Sequence, residues 1–301
     1  PLPSGKKEHD SFRRGDRFSS EPCDSGGGEQ GRLGTGGDEE NAGGDAVMEK
    51  LFVIKVGGAV VEDPAALSAF LKGFTAVDGL KVLVHGGGRA ATKVAAQLGV
   101  ETKMVDGRRI TDADMLRVVT MVYGGLVNKN IVAALQAGGL NALGLTGADL
   151  GCMLADKRPV REVDYGFVGD MRKVDTSILA DLIARGVVPV MAPLSFDGKG
   201  SLLNTNADTI ASSVAVALAE RFDVTLVYCF EKKGVLSNPD DDDSVIPVIT
   251  KSSFEGLVAD GVVAGGMIPK LQNAIGALDG GVGEVRITKA DSIVGGTRII
   301  L

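Results

Sequence analysis

The chain has 301 residues, 44% of them hydrophobic, 24% charged and 4% aromatic, which is enough length and apolar content for a sizeable core and excludes collagen-like, mucin-like and small disulfide scaffolds. Its formal charge of −7 argues against broad adhesion to nucleic acid or an anionic membrane, so any phosphate site must be local. No uninterrupted apolar run approaches the roughly 20 residues that cross a bilayer.

Residues 1–47 are rich in Gly, Ser, Asp, Glu and Arg and have neither helical nor strand periodicity, so they are expected to be a disordered leader with His9 solvated inside it. Arg13-Arg14 is followed by no apolar segment and reads as a solvated charge cluster. Beyond Met48, short apolar runs alternate with longer helical patterns, the signal for βαβ units and a mostly parallel sheet. Strands are predicted at 51–56, 80–84, 141–145, 187–191, 224–229 and 284–287. Helices are predicted at 64–76, 89–98, 113–137, 177–184, 208–220 and 269–277. The stretch 153–174 alternates polar and apolar residues around turn residues and is predicted to be a β-hairpin near the top of the sheet. Cys23, Cys152 and Cys229 lie far apart without CxxC spacing, which fits a reducing cytoplasm rather than a disulfide framework or structural zinc. With His9 and His85 as the two histidines, His-based metal clusters are excluded and a Ser-His-Asp triad would have to use one of them, so the chemistry is expected to rest on lysine, carboxylate and backbone groups.

Four sites carry chemical information. Lys55 interrupts the apolar strand LFVIKV just before Gly57-Gly58. An unpaired lysine inside a doubly buried strand costs several kcal/mol, so it either emerges toward an anion or snorkels at an ordinary turn. His85-Gly86-Gly87-Gly88 follows the next strand and opens a helix, where free N–H groups and the dipole favour anions. Neither loop matches GxxxxGK[ST] or GxGxxG, and His85 is read as a structural histidine at a strand end. Asn204-Thr205-Asn206-Ala207-Asp208 precedes an apolar-periodic helix. Asp208 is either its N-cap or a functional carboxylate, and Asn204 and Asn206, two apart in an extended segment, point the same way. Finally, Gly265-Gly266 leads into a helix with Pro269 in its first turn and Lys270 beside the positive dipole end. That placement calls for an anion or a salt bridge.

The motifs KVGG, VHGGGR, DGRRIT, LVNKNIVAAL, LLNTNAD and GGMIPKLQNA, in this order, resemble the amino-acid kinase family, and DGRRIT with NTNAD resembles its acylglutamate branch. The likeness spans about residues 51–301. It implies an α/β fold, an open αβα sandwich around a mainly parallel sheet of about eight strands. It also implies an N-terminal lobe, 48–195, that binds the acyl-amino acid and forms a homodimer, and a C-terminal lobe, 196–301, that binds ATP. By resemblance Lys55 and Lys270 stabilise the transition state and Asp208 orients them. Gly87, Gly88, Arg109 and Asn204 bind substrate, and Gly57, Gly58, Phe230, Lys232 and Gly265 lie with the nucleotide.

The implied reaction is attack of the γ-carboxylate of N-acetyl-L-glutamate on the γ-phosphate of ATP, with Mg²⁺ arriving on the nucleotide and no protein metal site. A carboxylate is already ionised at neutral pH, so no general base is needed. The acidic run 240–243 is read as a solvated loop rather than a metal site. Tyr228-Cys229-Phe230-Glu231-Lys232-Lys233-Gly234 stands where the family often has Ser/Thr-Asp-x-x-Gly, which leaves the nucleotide contacts open. The predicted hairpin carries Arg158, Arg161, Arg172 and Lys173, either solvated or facing a more acidic acyl group such as that of N-succinyl-L-glutamate. A non-catalytic sensor of nucleotide or amino acid on the same scaffold is the alternative from another class. No nucleic-acid or membrane partner is expected.

Overall fold

The computed structural model describes residues 48–301 apart from Asp106, Pro239 and Gly266. The expectation for residues 1–47 lies outside the described residues, as do His9 and Cys23. In chain order the strands are β1 (Lys50–Val56), β2 (Leu80–His85), β3 (Met104–Val105), β4 (Arg108–Arg109), β5 (Ala142–Leu145), β6 (Met153–Lys157) and β7 (Gly169–Val174). They continue with β8 (Val188–Met191), β9 (Leu194–Phe196), β10 (Leu202–Asn204), β11 (Asp223–Phe230), β12 (Val248–Thr250), β13 (Glu284–Lys289) and β14 (Thr297–Ile300).

The main sheet has eight strands in the order β12-β14-β13-β11-β1-β2-β8-β5. All neighbours are parallel except β13 and β14. The expected sandwich around a mainly parallel sheet is therefore observed. β1 and β11 are near-continuous apolar runs because both faces of a central parallel strand are covered. Leu51, Val53, Val82, Val84 and Leu226 pack on one side, against the helices Ala207–Leu218 and Met267–Asp279. Ile54, Val56, Leu83, Val227 and Cys229 pack on the other, against the helices Pro64–Ala76 and Ala113–Ala137.

The predicted hairpin is present as β6 and β7, but it belongs to a second sheet of four strands, β10-β9-β6-β7. The strands β9, β10, β12 and β14, of three or four residues each, are too short to show period-2 alternation and have no counterpart in the sequence reading.

Helix starts follow local capping chemistry. Asp63 accepts from the amides of Ala65 and Ala66, both at 2.9 Å, with Pro64 at the first helical position. The helix expected at 208–220 runs from Ala207 to Leu218 and is capped by Asn206, whose Oδ1 accepts from the amides of Asp208 at 2.7 Å and Thr209 at 3.3 Å. That corrects the N-cap reading of Asp208 and leaves its carboxylate free for other work.

The helix Ala113–Ala137 is long and apolar enough, by length and composition, to cross a membrane. Its apolar residues form a stripe in the core, with Met115, Val118, Val122, Ile131 and Leu135 buried. Its middle, Thr120–Val127, is π-helical, which shifts the buried face by about one residue per turn and carries Tyr123 inward. On β2, the Lys81 ammonium is buried and donates to the carbonyls of Phe74 and Thr75, each at 3.3 Å, and of Val77. It thereby satisfies the C-terminal carbonyls of the helix Pro64–Ala76.

Candidate active site

The site forms at the carboxyl ends of β1, β2 and β11, where the strand register sets the direction of each side chain. Lys55 shares a face of β1 with Leu51 and Val53, so it faces the helix Ala207–Leu218, which carries Asp208 in its first turn. The Lys55 Nζ lies 2.7 Å from Asp208 Oδ1, and the lysine side chain is 9% exposed against 28% for the aspartate. The largely buried ammonium is thus paired rather than snorkelling. Lys270 lies in the first turn of the helix Met267–Asp279, which packs on the same side of the sheet. Burial holds its pKa below the ordinary lysine value, Asp208 opposes that shift, and Lys55 adds to it. Two cations share the Asp208 carboxylate here, and the Glu231 carboxylate on the same cavity wall also favours the charged form of Lys270. Phe230, at the end of β11, presents its ring to both lysines, with Lys55 Nζ at 4.9 Å and Lys270 Nζ at 4.0 Å from the centroid.

The two glycine loops meet because β1 and β2 are neighbours. Gly86 N donates to Val56 O at 3.0 Å. A Cβ on Gly58 would lie 3.5 and 3.6 Å from the amide nitrogens of Gly87 and Gly88. Gly58 and Gly88 are first residues of helices and line the larger cavity, and their amides have no intrahelical acceptor. His85 is fully buried, and its pKa is lowered by burial to about 4. Its Nδ1–H donates to Gly86 O at 2.8 Å, and its Nε2 accepts from Asn128 Nδ2 at 3.2 Å. Both ring nitrogens are satisfied in the neutral form, so this residue braces the loop.

Two cavities flank these loops, with Gly88 on the wall of both. The larger, about 480 Å³, is lined by Lys55, Gly57, Gly58, Phe230, Lys232 and Lys270 among others. Gly265 is not on its wall, although it immediately precedes the helix that carries Lys270. Lys232 donates to Asp242 at 2.7 Å, and Lys233 also pairs with Asp243. The acidic run 240–243 is accordingly tied to lysines across its own loop. Among the described residues no group of three or more His, Cys, Asp or Glu is placed to hold a metal ion.

The smaller cavity, about 220 Å³, is lined by Gly87, Gly88, Arg109, Tyr123, Arg158 and Asn204 among others. Arg109 is 9% exposed. Its Nη2 donates to Gly88 O at 2.8 Å and Thr92 Oγ1 at 2.9 Å, and its Nη1 to Thr102 Oγ1 at 3.2 Å. Its Nε has no partner among the described residues, so one N–H of a fixed guanidinium is unspent. A bidentate grip on a carboxylate needs a second one, taken from a threonine or from the weak contact to Met115 Sδ at 3.9 Å. Asn204 donates through Nδ2 to Thr111 Oγ1 at 2.9 Å, which ties it to the Arg109 segment. The hairpin end is tied there too, by Phe167 N to Thr111 O at 2.7 Å.

Of the four basic hairpin residues, Arg158 reaches the cavity, where it is paired with Asp170 through Nη2 at 2.5 Å. Arg161 lines a separate outer hollow, and Arg172 and Lys173 lie on β7 outside both cavities. Tyr123 and Asp170 had no place in the sequence reading. The Tyr123 ring packs so closely on Gly87 that a Cβ there would lie 2.9 Å from it. The signal that could have found it, a Gly124-Gly125 pair inside an apolar helix, is faint.

The eight-stranded sheet with paired glycine loops and opposed lysines defines a phosphate-handling α/β fold, and the model of the amino acid kinase family matches residues 50–289. The chain belongs to the amino acid kinase family. It is 68% identical over 255 residues to acetylglutamate kinase of Bacteroides thetaiotaomicron, covering 84% of this chain and 99% of that one. It is 40% identical to acetylglutamate kinase of Methanopyrus kandleri over 83% of this chain and 99% of that one. Among solved structures, smu.665 from Streptococcus mutans superposes with a TM-score of 0.69 at 31% identity, covering 83% and 98% of the two chains.

Proposed function

We propose that the chain is an acetylglutamate kinase, which transfers the γ-phosphoryl group of ATP to the γ-carboxylate of N-acetyl-L-glutamate in arginine biosynthesis. The observation that carries this reading is the convergence of two lysines from distant elements on the Phe230 ring, one of them ion-paired with Asp208, beside two apposed glycine loops. The identity to acetylglutamate kinases names the acceptor.

In this reading Lys55, Lys270 and the amides of Gly58 and Gly88 neutralise charge that spreads over the transferred phosphoryl group, and Asp208 fixes Lys55. The acceptor oxygen is already anionic, so the protein aligns two anions rather than moving a proton. Arg109 receives the α-carboxylate of the acyl-amino acid, and Asn204 holds the same substrate. The smaller cavity takes the acylglutamate and the larger one the nucleotide, beside Gly57, Phe230 and Lys232. Residues 48–195 supply most of the first and 196–301 much of the second. Magnesium enters with the nucleotide, since it keeps water and phosphate ligands in preference to a protein cage. Exposed apolar side chains at Met121 and Leu126 on the helix Ala113–Ala137 and at Leu143 on edge strand β5 are in keeping with a homodimer.

Arg158 already spends Nε and Nη2 on Asp170, which neutralises its charge and favours acetyl over succinyl. The test is ADP release by the purified chain with N-acetylglutamate, N-succinylglutamate, glutamate, aspartate, carbamate and UMP. A kcat/KM at least about tenfold higher for N-acetylglutamate than for every other acceptor is expected. A higher value for N-succinylglutamate would transfer the assignment to that acceptor.

A further inference from the structure

We propose that Phe230 is a positioning residue for phosphoryl transfer, its ring holding the ammonium groups of Lys55 and Lys270 together in the cavity they line. This rests on the kinase reading above and deepens it, since it concerns how the two lysines are kept in place.

The ring is well anchored. Phe230 and Tyr228 are two apart on β11 and so face the same side of the sheet. Their rings stack with centroids 6.0 Å apart and planes inclined by 19°. Tyr228 is buried, and its hydroxyl donates to Asp208 O at 3.4 Å. Strand β11 is itself held between β1 and β13. Against this platform lie two flexible lysine side chains from opposite ends of the chain, with Nζ atoms 4.9 and 4.0 Å from the Phe230 centroid. Both distances are inside the roughly 6 Å over which a cation is attracted to an aromatic face.

An aromatic platform has a property that a second carboxylate would lack. Lys55 has Asp208 as ion-pair partner, whereas the ring is the contact the structure gives the Lys270 ammonium. Glu231 lines the same cavity and favours the charged form of Lys270, but its carboxylate is largely exposed and paired with Arg89 at 3.7 Å; a carboxylate bonded directly to Lys270 would instead spend the ammonium's charge on the protein. The ring quadrupole orients the ammonium groups and leaves their charge available. It also restricts lysine rotamers that would otherwise have to be ordered during the reaction. Two ammonium groups over one ring repel each other, in keeping with the lowered pKa of Lys270, which burial and Lys55 push down and Asp208 and Glu231 oppose.

The test compares the full chain with Phe230→Leu, which removes the π face at similar volume, and Phe230→Tyr, which keeps it. Phe230→Leu is expected to lower kcat by about tenfold or more while KM for both substrates stays within about twofold. Its alkaline limb is expected to move to lower pH, because the ring no longer favours the charged lysines. Phe230→Tyr should restore both. In the unsubstituted protein, ¹³C-labelled lysine spectra, assigned with Lys55→Arg and Lys270→Arg, should show the two ε-methylenes displaced by the ring current, with the displacement lost in Phe230→Leu and kept in Phe230→Tyr. A raised KM for ATP at unchanged kcat would make the ring an adenine contact and overturn the proposal. Undisplaced lysine resonances in the unsubstituted protein would overturn it without reference to turnover. Displaced resonances in a chain that makes no acyl phosphate would uphold the ring contact and refute the kinase reading instead.

Discussion

A Cβ placed on Gly86 would lie 2.9 Å from the amide nitrogen of Gly58, so the loops that follow two neighbouring strands touch backbone to backbone. The contact is possible only without a side chain, and it sets the spacing of the amides that border both cavities. Gly86→Ala is expected to push the loops apart, lowering kcat/KM by about 100-fold and stability by about 1–3 kcal/mol. Steady-state kinetics beside urea unfolding measures the two effects. Activity near that of the parent would mean that the loops tolerate separation and do not position the reacting groups.

Lys55→Ala and Lys270→Ala should each lower kcat by at least about 100-fold, as loss of a donor to transition-state charge does. Asp208→Asn should lower kcat as well and also cost about 3–5 kcal/mol of stability, because it leaves the largely buried Lys55 ammonium unpaired. The double variant Lys55→Met/Asp208→Asn should recover much of that stability and none of the activity. Thermal unfolding that ranks the double variant below Asp208→Asn would contradict the ion-pair account.

Arg109→Ala is expected to raise KM for N-acetylglutamate by about tenfold or more and to leave KM for ATP within about twofold, since Arg109 lines the smaller cavity and not the larger one. Initial rates over both substrate concentrations separate the two constants. A rise in KM for ATP alone would place the arginine with the wrong substrate.

His85 makes stability depend on pH. Its folded pKa of about 4 lies below the ordinary value of 6.5, so the unfolded chain binds the proton first as pH falls. Its contribution is complete above pH 6.5 and is lost as pH falls toward and through about 4, roughly 3 kcal/mol at about 1.4 kcal/mol per unit. Urea unfolding at pH 7, 5.5 and 4.5 should show that loss in the parent and a shallower one in His85→Gln. Identical slopes would show that some other group is responsible.

What could be read from the sequence was what depends on a strand and the loop behind it. Lys55, the glycine loops and the sheet followed from apolar runs that end in glycine, because a parallel strand delivers its carboxyl end to one rim. Asp208 was ambiguous since its meaning depends on a helix start, and a shift of one or two residues moves it from cap to first turn. Tyr123 was hidden by the π-helical stretch, which changes the period by which a buried face is recognised. The bond between Arg158 and Asp170 was out of reach because pairing across a hairpin depends on register, here with a shift between Leu154 and Ala155. Short strands such as β12 and β14 exist because neighbours hold them, and local sequence carries little of that.

The position of β1 also constrains the order in which the molecule can be made. This early strand lies between β2 and β11, with Lys55 opposite Tyr228. During synthesis one edge of β1 must wait, unpaired and apolar, until most of the chain has left the ribosome, and Lys270 emerges later still. Pairing over such a distance is slow and leaves an edge open to other chains. The reactive cluster therefore cannot exist in a partly made molecule, and the interval before β11 arrives is when the chain is most exposed to aggregation and most dependent on a chaperone.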